Sequence, residues 1–388
     1  MFMKLRSVYL ENFRSYEKLN IEIKNFKYVI LTGKNGIGKT NILEAISFLS
    51  PGKGFRNSRL DEVINNNSNS NQSSIFFIIE KENQKNEIGV GFTKENVDNK
   101  FQGRKIIHLN GKKLKRQSDL PNLVSLIWLT PEMDIFFRTN SLFRRKFVDR
   151  CIFNLKPEYL DNLKVYEQNL NERNKILKDI STKNLCYIEG KNVEKDLWLK
   201  KIEEKLVNEG IKIFEERIKF SNDFNSISNN SKSFPKINIS LVGDIENLLL
   251  TEKLDSVKGM YIQKLQSSRR IDSIKGSISC GPNKSDLKVV FLKKKLLAEK
   301  CSTGEQKIIL ISLIIQFCKL MNNKGNFPIL LLDEIVAHLD SKIKTTLFKE
   351  LQTLKNQVWM SGSDKNLFSD IINQKEVVNL EIEDLLKQ

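Results

Sequence analysis

The sequence predicts an α/β fold, a mixed sheet built around a glycine-rich loop with an inserted helical lobe or short arm. Three observations carry that expectation. The loop Gly33-Lys34-Asn35-Gly36-Ile37-Gly38-Lys39-Thr40 stands between an apolar, strand-like run and a helical pattern. A second apolar run, Ile329-Leu330-Leu331-Leu332, ends far downstream in Asp333-Glu334. Between the two, from about Ser141, the hydrophobic period changes from that of strands to that of helices. The expected division is therefore residues 1–135 with 280–388 as one discontinuous ATP-binding lobe. Residues 136–279 form a mainly helical second lobe that leads to a motif at 301–307.

The elements follow in order. Val8, Leu10 and Phe13, then Leu19, Ile21 and Ile23, alternate with polar residues as strands require, and Tyr28–Leu31 is a short apolar strand. Ile42, Leu43, Ala45, Ile46 and Leu49 lie on helical spacing, ended by Ser50-Pro51-Gly52. Asn65–Ser74 has neither an apolar residue nor a period and is expected as a solvated loop. Strands resume at Ile75–Ile79, Glu87–Phe92, Lys105–Leu109 before the Asn110-Gly111 turn, and Leu126–Leu129. Leu160, Leu163, Tyr166, Leu170, Ile176 and Leu177 fall on one helical face, and Leu197 through Ile213 on another. Each such helix reaches roughly 40 Å at about 1.5 Å per residue. A strand at Ile237–Leu241, a helix around Tyr261–Ile271 and a strand at Leu287–Leu292 come next. Helix Ile308–Met321, buried strand Ile329–Leu332, helix Ile343–Leu354 and a closing strand Val358–Met360 complete the chain.

Composition narrows the class. Of the 388 residues 40% are hydrophobic and 29% charged, the balance of a soluble globular protein. No apolar run reaches the roughly 18 residues of a bilayer span, and no signal-like segment opens the chain, so a cytoplasmic protein without membrane contact is expected. Five cysteines without a CxxC pair, and two histidines, argue against a zinc site or a disulfide framework. The net charge of +17 attracts polyanions, nucleic acid among them, unless it reflects lysine richness alone.

The loop fits G-x-x-x-x-G-K-[ST], and its strand–loop–helix context fits as well. Backbone N–H groups along it and the positive helix end suit phosphates, and Gly33, Gly36 and Gly38 keep Cβ atoms out of the way. Lys39 is expected on the β- and γ-phosphates of ATP, and Thr40 on Mg2+. Asp333, ending a buried strand, supplies the second Mg2+ position, and Glu334 is the expected general base for water. Cys301-Ser302-Thr303-Gly304-Glu305-Gln306-Lys307 leads into an apolar helix. Ser302 and Gly304 there form either a second anion-binding helix end or, with Glu305, an ordinary capping box.

In this order, GKNGIGKT, STGEQK, ILLLDE and Ala337-His338-Leu339-Asp340 resemble the ATP-binding-cassette class of head domains. The resemblance implies that Ser302 and Gly304 act in trans on a nucleotide held by a second subunit, with Asp340 as the D-loop aspartate. His338 is a substitution within that loop and is not read as catalytic. The chain further resembles the RecF family of recombinational-repair proteins. Asn12-Phe13-Arg14-Ser15-Tyr16 is similar to the family's NFR-Y segment, which brings Arg14 into the ATP-binding set. Gly38–Ile46 resembles GKTNLLEAI, and Gly54-Phe55-Arg56 resembles SFR. Trp128–Asp134 with Phe143–Arg150 is similar to FxPEDL and RRxFLDR, and Cys280–Leu287 to GPHRDDL. These matches run nearly the whole chain. Departures are Gly281-Pro282-Asn283-Lys284, which keeps a charge without arginine's fork, Ser361-Gly362-Ser363 at the C-terminal switch, and Cys301 where leucine is usual. Ser361 remains able to hydrogen-bond the γ-phosphate or water.

The resemblance implies a DNA repair, replication and recombination protein of the SOS response. ATP-driven dimers would clamp gapped or single-strand/duplex junction DNA and, with RecR and RecO, promote RecA loading. Weak, DNA-stimulated ATP hydrolysis would trigger release. Candidate DNA contacts are Arg56, Arg59, Lys112, Lys113, Lys115 and Arg116, with Lys293-Lys294-Lys295 besides. No basic stretch is interleaved with aromatics, so contacts to the phosphate backbone are expected. A transporter subunit would carry a switch histidine where Ser361 stands. An SMC-type scaffold needs a far longer heptad insertion, and a nuclease an added acidic metal cluster.

Overall fold

Lys4–Phe13 (β1) buries Leu5, Val8, Leu10 and Phe13, its alternation broken by a register shift between Leu5 and Ser7, and pairs antiparallel with Tyr16–Glu22 (β2), Val8 opposite Ile21 and Leu10 opposite Leu19. Tyr28–Thr32 (β3) is buried at all five positions and leads through the glycine loop into Lys39–Ser47 (α1). Gln72–Lys81 (β4), Gln84–Val97 (β5), Lys100–Leu109 (β6) and Lys112–Lys113 (β7) extend the first pair into a six-stranded antiparallel sheet of order β2-β1-β4-β5-β6-β7. Leu120–Leu123 (α2) and Leu126–Leu129 (β8) follow. The computed structural model describes residues 3–97, 100–181, 193–229 and 234–387. Cys186 and the His338 side chain lie outside the described residues.

The asparagine tract is more ordered than a solvated loop. Asn65 is buried and its N–H donates to Asn12 O at 2.8 Å, while Gln72–Ser74 already belong to β4. Ser73 Oγ donates to Glu11 O at 3.1 Å, so a polar residue takes an inward position and erases the alternation that marks a strand.

Met1–Asp134 and Leu310–Gln388 form one unit, Ile135–Ser231 and Pro235–Ile309 a second. The second holds Ser141–Leu155 (α3), Tyr159–Ser181 (α4), Val193–Asn229 (α5), Ile237–Val242 (β9), Asp244–Thr251 (α6), Leu254–Lys275 (α7), Asp286–Phe291 (β10) and Leu296–Leu297 (β11). Residues 280–309, expected with the ATP-binding lobe, belong here. The reason is strand pairing: β10 runs antiparallel to β9, with Val289 opposite Ile239. The 37 residues of α5 span about 55 Å at about 1.5 Å per residue, longer than the expected arm. Buried ion pairs tie its helices together. Arg173 donates to Glu203 at 3.0 Å and to Asp272 at 2.8 Å, Arg269 meets the same Glu203, and Arg217 meets Asp149.

Thr303–Asn323 (α8) carries the chain back into the first unit, which Ile329–Leu332 (β12), Ser341–Thr353 (α9), Val358–Gly362 (β13), Val377–Glu381 (β14) and Ile382–Leu385 (α10) complete. Here lies the sheet of the glycine loop, five strands in the order β14-β3-β13-β12-β8, every pair parallel. Its central strands are buried on both faces, which is why they read as unbroken apolar runs, whereas the antiparallel sheet reads as alternation. The α/β fold with a helical insertion is thus present, its described strands divided among three sheets, the third being β11-β10-β9 of the second unit. The closing strand is β14, beyond Val358–Met360. No helix among the described residues is long and apolar enough to cross a membrane.

Candidate functional site

Parallel strands deliver their carboxyl ends to one edge, and in this sheet β3, β13 and β12 are neighbours. The glycine loop leaves β3, Ser361 sits near the end of β13, and Asp333 follows β12. Gly33, Gly36 and Gly38 have φ of +147°, +84° and +114°, in the region glycine enters most readily. At Gly38 a Cβ would lie 2.4 Å from the Tyr16 hydroxyl, so the NFRSY turn closes against the loop's last glycine. No side chain caps the first turn of α1, whose N–H groups face the loop. Lys39 is buried and its Nζ donates to Gly33 O at 2.6 Å and Lys34 O at 2.9 Å.

Thr40 Oγ1 donates to Asp333 Oδ1 at 3.0 Å, and Ser361 Oγ donates to the same oxygen at 2.6 Å. Burial pushes the Asp333 carboxyl above its ordinary range, the two hydroxyls pull it down, and the Glu334 charge adds to the rise. A hydroxyl beside a buried carboxylate is a hard-oxygen set that suits Mg2+, which takes few protein ligands and completes its shell with water and phosphate. Glu334 has φ +51°, uncommon outside glycine, and its N–H donates to Ser361 Oγ at 2.9 Å.

Other expected residues make contacts within the chain. Arg14 places its guanidinium on buried Glu44 of α1, at 2.9 and 2.6 Å, and also on Glu62 O and Ser58 Oγ. Arg56, read as a DNA contact, meets Glu44 at 3.0 Å and Asn41 at 2.9 Å. Arg59 pairs with Asp61 and Arg116 with Asp119, while Lys112, Lys113 and Lys115 are exposed at the sheet's edge. In the second unit, Ser302 and Glu305 form the reciprocal capping box: Glu305 accepts from Ser302 N–H at 3.2 Å and from its hydroxyl at 3.1 Å. Ser302 and Gly304 are nevertheless exposed. Lys294 pairs with Glu305 at 2.6 Å. Asp340 caps α9, accepting from Ile343 N–H at 2.8 Å.

Two site residues escape sequence reasoning. Glu44, wholly buried between two arginines, is masked by the apolar helix pattern around it. Glu383 of α10 accepts from Lys34 N–H at 3.0 Å, and a Cβ on Gly33 would lie 2.5 Å from its other oxygen. It reaches the loop because β14 runs beside β3, with Glu381 opposite Thr32.

Residues 4–384 match the family described as the RecF/RecN/SMC N-terminal domain. The DNA replication and repair protein RecF of Rickettsia typhi is 34% identical over 97% of this chain and 99% of its own, and that of Rickettsia canadensis 32% over the same shares. A solved structure of the recombination mediator protein RecF with ATPrS covers 98% of this chain and 96% of that one, at TM-score 0.79 and 23% identity. The Smc head domain of Pyrococcus furiosus covers 99% and 95% at TM-score 0.51 and 18% identity. These two likenesses are of fold, whereas the family match and the relatives extend through the sequence from end to end, and the chain belongs to the RecF family of DNA replication and repair proteins.

Proposed function

We propose that this chain is a Mg-ATP-dependent DNA-binding switch whose ATP-bound form dimerises. The observation that carries the reading is the meeting of Thr40 and Ser361 on one oxygen of buried Asp333, at the mouth of a glycine loop. Lys39 would leave the loop carbonyls for the β- and γ-phosphates, while Thr40 and Asp333 would hold Mg2+. Bound Mg2+ would neutralise charge between the phosphates and favour the charged form of Asp333. Glu334, fixed through its backbone to Ser361, would orient water as general base. Ser302 and Gly304, exposed at the start of α8, would close on the nucleotide of a second subunit, with Asp340 ordering the adjoining turn.

Hydrolysis in such a device is a release step, and a weak, DNA-stimulated ATPase fits it. The +17 charge supports binding to DNA through backbone phosphates, with Lys112, Lys113 and Lys115 as first candidates. RecR, RecO and RecA are the partners that family membership suggests. Size-exclusion chromatography of Glu334→Gln with and without Mg-ATP is the test. A shift from monomer to dimer that needs ATP and is abolished by Ser302→Arg supports the reading. A variant that binds ATP yet remains monomeric with ATP and gapped DNA together overturns it. DNA affinity should also fall steeply with salt, and an affinity indifferent to salt would remove the electrostatic part.

A further inference from the structure

The first unit carries a cavity of about 310 Å3 at the amino ends of the strands whose carboxyl ends form the nucleotide site. Lys4, Lys27, Lys355 and Glu376 line it, together with the turn from Gln352 to Gln357. Its walls are tied down by backbone. Val358 N–H donates to Lys27 O at 2.8 Å, and the N–H groups of Lys27 and Tyr28 donate to Glu376 O at 2.9 and 3.0 Å. The Gln357 side chain donates to Leu5 O at 3.1 Å and Phe26 O at 3.2 Å. The cavity is therefore preformed, and it shares no residue with the glycine loop, Asp333 or Ser361.

Its charge is unbalanced, with three ammonium groups facing one carboxylate. Lys27 Nζ donates to the neutral Gln352 O at 3.1 Å and lies 5.1 Å from the Tyr28 ring centre, and Lys4 Nζ donates to Asn25 Oδ1. None of the three lysines has an ion-pair partner within 4.0 Å among the described residues. Burial lowers the affinity of Lys4 and Lys27 for their protons, while the charge of Glu376 works the other way. Partly desolvated cations around a fixed concave site call for a ligand that brings about two negative charges and several acceptor oxygens.

We infer that this cavity binds a dianionic phosphate monoester on a body no larger than a nucleoside. A phosphate monoester carries about −1.5 to −2 charge at neutral pH on three oxygens, whereas each internal phosphate of a nucleic acid carries one charge. The volume lies at the small end of ligand sites, about 300–1,000 Å3, which sets the size of the body. The phosphate could come from a free sugar or nucleoside phosphate or from the end of a nucleic-acid strand.

Isothermal titration of the full chain with ribose 5-phosphate tests the inference, with ribose as the uncharged control. One saturable site is expected, weakened at least about tenfold in Lys27→Met and in Lys355→Met and unchanged in Lys39→Met. Lys355 is exposed, so its replacement leaves the fold intact. The inference is overturned by the absence of saturable binding, by equal binding of ribose, or by binding lost in Lys39→Met and kept in both cavity variants. A 5′-phosphorylated oligonucleotide that displaces the sugar phosphate where its 5′-hydroxyl twin does not identifies a strand end as the source. Displacement by small phosphates alone identifies a free metabolite.

Discussion

The Ser361 hydroxyl donates to Asp333 Oδ1 at 2.6 Å while accepting from Glu334 N–H at 2.9 Å, so one side chain on β13 fixes two consecutive acids at the end of β12. Two parallel strands are thereby coupled where the Mg2+ position and the general base are proposed. A hydrogen bond to a charged group contributes about 1.5–3 kcal/mol. Ser361→Ala removes that donor from a buried carboxylate.

The pH dependence of this loss is specific. Burial raises the Asp333 carboxyl above its ordinary value, so the folded chain holds that proton more tightly than the unfolded chain does. Stability is then lost as pH rises from the ordinary carboxylate range through the raised one, and the Ser361 donation limits the loss. Urea unfolding should show Ser361→Ala destabilised by about 1.5–3 kcal/mol at neutral pH and much less in acid, where Asp333 is protonated. An equal loss at both would show that Ser361 acts by packing alone.

Glu383 makes a separate prediction about the loop. Its carboxylate is held below the ordinary range first by the Lys34 N–H, with the Lys34 and Lys39 charges assisting. Glu383→Ala should weaken nucleotide binding about threefold to tenfold, by loosening the Gly33–Lys34 shoulder, with little change in thermal stability. Because this carboxyl is depressed, its contribution is present above its ordinary pKa and fades as pH falls. Fluorescent-nucleotide titrations of the variant and wild type should therefore converge in acid.

Glu44 is a buried carboxylate shared by Arg14 and Arg56, at 2.6 and 3.0 Å. Removing one member of a buried pair costs about 3–5 kcal/mol when the remaining charge stays buried. Both arginines keep some solvent contact, with side-chain exposures of 17% and 30%, so the cost should be smaller. Glu44→Gln should lower stability by about 2 kcal/mol and Arg56→Ala by less, read from chemical unfolding. A Glu44→Gln variant as stable as wild type would show that the cluster serves DNA or nucleotide contact rather than the anchoring of α1.

What the sequence disclosed depended on how each signal is written. β3, β12 and β13 were legible because burial on both faces leaves unbroken apolar runs, and the glycine loop because its backbone needs leave a fixed spacing. β14 was hidden, since Val377–Glu381 is only partly buried and includes Asn379. The unit boundary was hidden too, because it depends on β10 choosing β9, a pairing no local pattern records. The contacts of Arg14 and Arg56 with Glu44 could not be read from the sequence, because Glu44 sits among apolar residues on another element. Ser302 satisfies both readings of its motif: the capping box is formed, and the residue remains exposed.

Lys105 ties β6 to the segment that follows α1. It is buried on β6, and its Nζ donates to Phe48 O at 2.8 Å, Ser50 O at 3.1 Å and Gly52 O at 3.3 Å, just beyond the end of α1, with the Phe48 ring 5.4 Å away. Burial lowers its pKa to about 7 from 10.5. The unfolded chain thus holds this proton more tightly, and stability should rise with pH from about 7 to 10.5, by at most about 1.4 kcal/mol per pH unit. Lys105→Met leaves three carbonyls without their donor and should destabilise the chain by about 1–3 kcal/mol at neutral pH. The rise specific to Lys105 should also vanish, so the difference between wild-type and variant stability should widen in favour of wild type as pH increases. Thermal unfolding of both from pH 7 to 10 measures it, and parallel pH profiles would mean that the carbonyl cage keeps the ammonium charged despite its burial.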